Sequence, residues 1–317
     1  MSGVAVPAGV HEPQFQTLAR AWNGGRRHHA ILLTGPKGVG KATLGERIAA
    51  LALTTQGDGA VRASEALGLR RLVRGEGRDG RPRRDIVVDD VRALEPFLRQ
   101  RLAGGLWRVV LVDAASEMNA QAANALLKIL EEPGERTLFV LVAHDGGKLL
   151  PTIRSRCLTV RVPALSEDEV CRVLVEQEVD PQLAERAARR ADGRPGRAMD
   201  LLSGGVLDAL DACDEVLERA VWSPSLAQRA LDAALAKDVT DGYGLLAEAV
   251  PRSLRNRART IIGTEPSSAA QLAKAAARIE GELRERHAFG VEPRLDLREG
   301  LAAAHRAVWS RASGVDA

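Results

Sequence analysis

The feature that most restricts the fold of this chain is a glycine-rich loop between a short apolar run and a segment of helical spacing. Residues 31–33 are apolar, Gly35, Gly38 and Gly40 follow, and Lys41 opens a run whose apolar residues recur at helical intervals. Glycines let backbone N–H groups turn toward a phosphate, the helix N-terminus adds its dipole, and the lysine adds a full charge. This order of strand, loop and helix predicts a phosphate-binding loop in an α/β fold.

The loop departs from the common pattern at one position. The pattern G-x-x-x-x-G-K-[ST] is matched from Gly35 through Lys41, but position 42 is alanine. No hydroxyl therefore stands where the pattern places a Mg²⁺ ligand. Thr43 is the next residue, but on a helix it points about 100° away from Ala42. The sequence predicts a loop that keeps its cation and loses its metal ligand.

Strands and helices alternate up to residue 162, which predicts a doubly wound parallel sheet with ligands at the carboxyl ends of its strands. The expected strands, besides the one before the loop, are 86–88, 107–112, 138–142 and 158–162, and the expected helices include 11–23, 91–102 and 118–131.

No strand pattern follows Pro163. Ser166 and Glu169 have the spacing of a capping box and predict the start of the first of three short helices. Residues 206–317 read as further helices, broken near Pro224, Gly242 and Pro266. We expect a nucleotide-binding-like domain over 1–163, a three-helix lid domain over 164–205 and an all-helical domain over 206–317.

Two basic stretches interrupt this pattern. Residues 56–84 are rich in Gly, Arg and Asp, with one helical interlude near 62–74, and predict an exposed, mobile insertion. The cluster over residues 26–29 is interpreted as a solvated loop or, alternatively, as a lip over a nucleotide or a DNA-facing patch.

Composition excludes several classes of protein. The 45 basic and 42 acidic residues give a net charge of +3, which argues against a surface that binds nucleic acid all over. The three cysteines are too few and too far apart for a disulfide framework or a C-x-x-C metal site. The chain shows no signal-peptide pattern, and no run approaches about 18 apolar residues. We expect a cytoplasmic protein with no membrane contact.

A hydrolase built on such a loop needs an acid near the Mg²⁺ shell, a carboxylate that orients water and an arginine that neutralises the transition state. Asp113 follows strand 107–112, where the first belongs. The next position, where such ATPases commonly carry glutamate, is Ala114. Glu117 is expected to begin the following helix. To replace the carboxylate that is missing at position 114, it would need a distorted backbone. With oxygens missing at Ala42 and Ala114, the sequence predicts weak or absent hydrolysis.

The tripeptide Ser155-Arg156-Cys157 places an arginine at the start of a strand. An arginine finger given to a neighbouring subunit's nucleotide accelerates phosphoryl transfer by about 10³–10⁵. The alternative interpretation is an arginine that caps a loop or pairs with Glu131 or Glu132.

Three segments, in this order and spacing, resemble the clamp-loader AAA+ proteins of DNA replication, and within them the delta-prime branch of bacterial DNA polymerase III. They are GPKGVGKATL, WRVVLVDAASEMNAQAANALLKILEEP and LLPTIRSRC. The resemblance covers about residues 11–203, and residues 206–317 fit as the all-helical collar domain of that family.

The resemblance implies an AAA+ fold and a stator subunit in a heteropentamer with gamma/tau-type motor subunits and a delta subunit. That assembly opens the sliding clamp and loads it on primed DNA, in the cytoplasm at the replisome. It also implies that Arg156 is the finger offered to a neighbouring motor and that Arg197 matches a segment that often carries a nucleotide-sensing arginine. Gly35, Gly38, Gly40, Lys41, Thr43 and Asp113 would form the degenerate nucleotide site.

The chain also departs from its relatives. Residues 1–156 contain no cysteine, so the zinc module found in many of them is not expected. No cofactor is required by this interpretation, while weak binding of ATP or ADP stays open because Lys41 and the glycines persist. Two alternatives remain: an active motor of the same fold, with Thr43 and Glu117 as substitutes, and a helicase-loading or recombination AAA+ protein.

Overall fold

A five-stranded parallel sheet lies at the centre of the amino-terminal part of the chain. The computed structural model describes residues 9–54, 68–76, 83–99, 107–202, 204–236, 239 and 242–309. Its strands are β1 (Ala30–Thr34), β2 (Leu69–Leu72), β3 (Arg108–Asp113), β4 (Thr137–Ala143) and β5 (Leu158–Arg161), in the spatial order β2-β3-β4-β1-β5. All neighbouring pairs are parallel, so the carboxyl ends of β3, β4 and β1 meet at one edge.

Helices cover both faces of this sheet, as the continuous apolar strands require. They are α1 (Glu12–Asn23), α2 (Lys41–Thr54), α3 (Val88–Arg92), α4 (Glu95–Arg99), α5 (Ala120–Glu131) and α6 (Pro151–Ser155). Alternate residues of one strand enter opposite cores: Leu32 packs in the core that contains α5, and Leu33 in the core that contains α1 and α2. The structure thus confirms the predicted α/β class.

Three local predictions are wrong. Residues 69–72 form strand β2, not part of a helix over 62–74; Arg70 and Arg71 are exposed between two buried leucines. Ile86 makes a single parallel bridge to Met118, and α3 already begins at Val88, so no strand spans 86–88. One helix was expected over 91–102; up to residue 99, where the described residues pause, two short helices stand in its place, because Pro96 in the first turn of α4 lacks the N–H that would continue α3.

Much of the expected insertion over 56–84 lies outside the described residues. Within it, Arg83 is held in place by an ion pair at 2.5 Å with Asp90, which follows on α3. The basic cluster over 26–29 enters β1 at its amino end, and Arg27 lies over the rings of Trp22 and Trp107, 5.4 and 5.7 Å from their centroids. That end is opposite to the glycine-rich loop, so the cluster forms no lip over this chain's own loop, and the DNA-facing alternative stays a prediction.

Three helices follow the sheet: α7 (Glu167–Val175), α8 (Pro181–Arg190) and α9 (Pro195–Leu202). The predicted capping box is confirmed, since Ser166 Oγ accepts from the Glu169 N–H and the Glu169 carboxylate accepts from the Ser166 N–H.

The carboxyl-terminal part is helical throughout its described residues, as predicted, with breaks at the expected positions. Its helices are α10 (Val206–Glu218), α11 (Pro224–Ala234), α12 (Gly242–Ile261), α13 (Pro266–Ala288) and α14 (Pro293–Trp309). Asp296 is fully buried here and accepts a hydrogen bond from the Tyr243 hydroxyl, which also contacts the Leu283 carbonyl at 3.0 Å.

By its internal contacts the chain divides into two compact units, residues 1–198 and 199–317. The finer division at residues 163 and 205 stays a prediction.

Candidate functional site

The phosphate loop connects β1 to α2 at the carboxyl edge of the sheet. Gly38 and Gly40 have φ values of 84° and 101°, which L-residues rarely adopt. Gly35 is fixed by space instead, since a Cβ there would lie 2.1 Å from the Val162 carbonyl oxygen. The three glycines of the predicted site therefore belong to one tight turn that only glycine fits.

Lys41 is the buried cation of this loop. Only 3% of its surface is exposed, and its Nζ donates to the carbonyl oxygens of Gly35 at 2.8 Å and Pro36 at 2.6 Å. Burial lowers the pKa of Lys41 to about 8, and the negative charge of Asp113 partly opposes that shift. At neutral pH Lys41 thus places a positive charge beside the N–H groups of the loop.

The metal-ligand position of α2 carries a methyl group. Ala42 is the second residue of the helix, and both it and Thr43 are half-buried. Because consecutive helical residues are rotated by about 100°, the Thr43 hydroxyl does not take the place of the missing one in a regular helix. Position 42 therefore offers no side-chain oxygen to the Mg²⁺ ion that usually accompanies a phosphate in such a loop.

Asp113 ends β3 next to this loop. Burial raises its pKa, the nearby Glu117 raises it further, and Lys41 opposes the shift. Ala114 is 2% exposed and carries no polar side chain. The sequence predicted that Glu117 begins the next helix, and this is wrong. Glu117 ends a 3₁₀ turn over Ala115–Glu117, and α5 begins only after its cap Asn119.

Two residues that the sequence did not assign to the site lie around Glu117. Arg74 Nε, just beyond the carboxyl end of β2, contacts its carboxylate at 2.9 Å, and His144 Nε2, just beyond β4, lies 3.9 Å from it. Burial first, and then the charges of Lys41, Lys37 and Arg74, lower the pKa of His144 to about 4. The carboxylate is therefore held by an arginine beside a neutral histidine.

His144 directly follows β4. Its buried Nδ1 has no hydrogen-bond partner within the described residues, and its backbone N–H donates to Ser116 Oγ at 3.3 Å. His144 lies near Lys41 because β4 lies between β3 and β1 in the sheet. The sequence alone did not predict this strand order.

The start of α9 contacts the phosphate loop directly. The Gly196 N–H at the start of α9 donates to the Gly38 carbonyl at 2.9 Å, and Arg197, only 7% exposed, follows it. From the other side His11 Nε2 contacts the Val39 carbonyl at 2.7 Å, and burial lowers the pKa of His11. The predicted sensor Arg197 thus lies beside the loop, while nothing in the sequence pointed to His11.

Arg156 lies away from this loop. It ends α6 just before β5, whereas the loop borders Val162 at the other end of that strand, and a strand of this length spans about 13 Å. Its Nη1 donates to the Thr152 carbonyl at 3.0 Å, and its Nη2 contacts Glu131 Oε1 at 2.6 Å. The pairing with Glu131, one of the two partners considered from the sequence, is present in the chain alone.

Within the described ranges no group of three or more His, Cys, Asp and Glu residues could hold a metal ion. In the same residues, none of the helices combines the length and apolar character that crossing a membrane requires.

Comparison with known proteins identifies the family. A family model described as DNA polymerase III, delta subunit, matches residues 10–166. The delta' subunit of DNA polymerase III from Pseudomonas aeruginosa is 33% identical over 231 residues, which are 68% of this chain and 70% of that protein. The delta' subunit from Escherichia coli is 30% identical over 218 residues, 67% of this chain and 65% of that protein.

More distant likenesses agree with the fold. The tau subunit of DNA polymerase III from Escherichia coli is 30% identical over 203 residues, 60% of this chain and 31% of that protein. A crystal structure of a gamma subunit-related protein from Thermotoga maritima superposes with a TM-score of 0.50 at 19% identity, covering 93% of this chain and 99% of that chain. The AAA+-like fold expected from the resemblance is confirmed, and the chain belongs to the delta' family of bacterial DNA polymerase III subunits.

Proposed function

We propose that this chain is the stator of a clamp loader and does not hydrolyse ATP itself. It would join gamma/tau-type motor subunits and a delta subunit in a heteropentamer that loads the sliding clamp on primed DNA in the cytoplasm. The observation that carries the proposal is that the loop keeps only some of the groups of an active nucleotide site. Lys41 and the glycines are present, while Ala42 replaces the metal-ligating hydroxyl.

Its own cleft is suited to phosphate but not to catalysis. Bound ATP or ADP would place its phosphates on the loop N–H groups and Lys41, with Arg197 beside the loop, and no nucleotide is required for the stator role. Hydrolysis needs a metal and an oriented water. Ala42 and Ala114 supply oxygens for neither, so binding without turnover is what these residues support.

Arg156 is the group that this chain would contribute to chemistry. Because it lies at the opposite end of β5 from its own loop, it is poorly placed to act there and free to face a neighbouring subunit. A guanidinium directed at the transferring phosphate of a neighbour's ATP stabilises the charge that develops during cleavage.

One observation favours the alternative of an active motor. Glu117 lies close enough to Asp113 to raise the pKa of that carboxyl, so a second carboxylate does reach the site. Arg74, however, pairs with Glu117 at 2.9 Å, so a substrate water would have to compete with an arginine for this carboxylate. Turnover by the purified chain alone, abolished by Lys41→Met, would establish the motor function instead.

The stator function is tested in the reconstituted loader by replacing Arg156 with alanine. Hydrolysis at the motor site that faces this chain should slow by about 10³-fold or more. The total rate of DNA-stimulated phosphate release should therefore fall by at least the fraction that this site contributes. Arg154→Ala is the matched control, an exposed arginine two residues earlier on α6, and should leave the rate unchanged. Unchanged release with Arg156→Ala would refute the finger.

A further inference from the structure

The guanidinium of Arg156 is held within its own chain at two points. Thr152 supplies a carbonyl oxygen 3.0 Å from Nη1, and Glu131 supplies a carboxylate oxygen 2.6 Å from Nη2. The backbone beneath it is fixed, because Ile153 is fully buried and the Arg156 N–H donates to the Ile153 carbonyl at 3.1 Å. Only the outer part of the side chain is therefore free to change partners.

The carboxylate partner stands at an unfavourable place for an acid. Glu131 is the last residue of α5, and the carboxyl end of a helix carries a partial negative charge. A guanidinium beside it offsets that repulsion. Glu132, the next residue, is also exposed, yet it makes no ion pair with Arg156 in the described structure. The contact is thus specific to one of two adjacent glutamates.

An arginine in this state cannot give its full charge to a second anion. The Glu131 carboxylate neutralises the guanidinium, and it would also repel a phosphate that approached the same nitrogen atoms. A neighbour's nucleotide must therefore replace Glu131 as the partner of Arg156.

We propose that Glu131 is a positioning residue that holds Arg156 against its own chain until a neighbouring subunit's nucleotide phosphate displaces it. This inference rests on the proposed finger function. No covalent step is involved: one anion replaces another at Nη2, while Thr152 and the buried Ile153 keep the backbone in place. As a consequence, Arg156 stays neutralised by Glu131 as long as the neighbouring subunit holds no nucleotide.

The exposure of the pair sets the size of the effect. The Arg156 and Glu131 side chains are 36% and 44% exposed, and a surface ion pair of this kind shifts an equilibrium by a factor of about five at most. The contact is therefore weak enough for a nucleotide phosphate to displace, yet measurable.

The test uses the assembled loader carrying Glu131→Gln in this subunit. Removing the competing charge should raise kcat/KM for ATP at the adjacent motor site about two- to fivefold. A merely structural role predicts the opposite, because loss of an ion pair lowers stability and brings no gain in turnover. Glu132→Gln is the matched control and should change nothing, and Glu131→Asp, which keeps the charge, should stay near the native rate.

The double variant Glu131→Gln/Arg156→Ala separates this inference from the function on which it rests. If Glu131 acts through Arg156, the double variant equals Arg156→Ala alone. A gain that persists without Arg156, an equal gain in Glu132→Gln, or no gain in Glu131→Gln would each overturn the positioning role while leaving the finger intact. If Arg156→Ala itself has no effect, the proposed function fails first.

Discussion

At the scale of single residues, the cleft combines the lysine and glycines of a phosphate loop with alanines at positions 42 and 114. Lys41 is retained and buried, while Ala42 and Ala114 present methyl groups where oxygens would bind metal or orient water. Burying a lysine is unfavourable unless its ammonium group finds partners, and here two loop carbonyls supply them. Lys41 thus also stabilises the loop itself in this structure.

The lowered pKa of Lys41 predicts a pH-dependent stability. Below about pH 8 the residue is protonated in both the folded and the unfolded chain, so the penalty of burying its charge is fully present. Between about pH 8 and the ordinary lysine value the folded chain releases the proton first, and the penalty is relieved by at most about 1.4 kcal/mol per pH unit. Native protein should therefore gain stability relative to Lys41→Met as the pH rises.

Urea unfolding of the two proteins at pH 7, 9 and 10 measures this difference, and the titration of all other lysines cancels in it. A difference in the free energy of unfolding that does not change with pH would show that Lys41 titrates normally.

What the sequence revealed about these residues follows from local spacing. The glycines, Lys41, Ala42 and Asp113 lie at fixed distances from apolar runs, so their positions around the loop could be predicted. The contacts of Glu117 with Arg74 and His144 could not, because they join three different strand ends and depend on strand order. The pairing of Arg156 was predicted only as one of two partners, since the twist of α5 decides which glutamate faces it.

At the scale of elements, the elements with continuous apolar sequence were the most predictable. Strands β3 and β4 are buried along their length, and each matched its expected range to within a residue or two. Strand β2 was missed because two arginines interrupt its apolar residues, as an edge strand with exposed positions allows. The helix pair α3 and α4 was merged because the apolar spacing continues across Pro96 while the backbone hydrogen bonding does not.

The contact between α9 and the phosphate loop yields a prediction at this scale. A Cβ on Gly196 would lie 3.0 Å from Gly38 Cα, so the loop would have to shift and the bond from the Gly196 N–H to the Gly38 carbonyl would be strained. Gly196→Ala should therefore lower the free energy of unfolding by about 1–3 kcal/mol. Amide exchange should rise at the loop and at the start of α9 when followed by mass spectrometry.

Gly281 supplies the control for that substitution. It is an exposed glycine within α13, and a Cβ there would meet nothing within 4 Å. Gly281→Ala should stabilise the helix by up to about 1 kcal/mol, as alanine does in helix interiors. If both variants changed stability alike, the close approach at Gly38 would not be what matters.

At the scale of the whole molecule, the two charged groups that define the proposed function lie at opposite ends of the sheet. Lys41 serves the chain's own loop, and Arg156 lies before β5, at the amino ends of the strands. Under the proposed function, the chain would contribute Arg156 to one shared site in a ring of AAA+ subunits and would leave the site at its own loop without catalysis. Substitutions of Lys41 and of Arg156 should therefore change ATP turnover by different amounts in the assembled loader.

Neutralising each group in turn within the reconstituted loader tests this asymmetry. Lys41→Met should leave DNA-stimulated ATP turnover within about a factor of two of the native rate, because hydrolysis in this subunit's own cleft is not expected to contribute. Arg156→Ala should remove the contribution of the neighbouring site, a loss of about 10³-fold at that site. The unfolding midpoint of each variant subunit shows whether a lost rate reflects misfolding. Equal losses in the two variants would mean that this cleft turns over ATP, and that the methyl group at position 42 does not disable it.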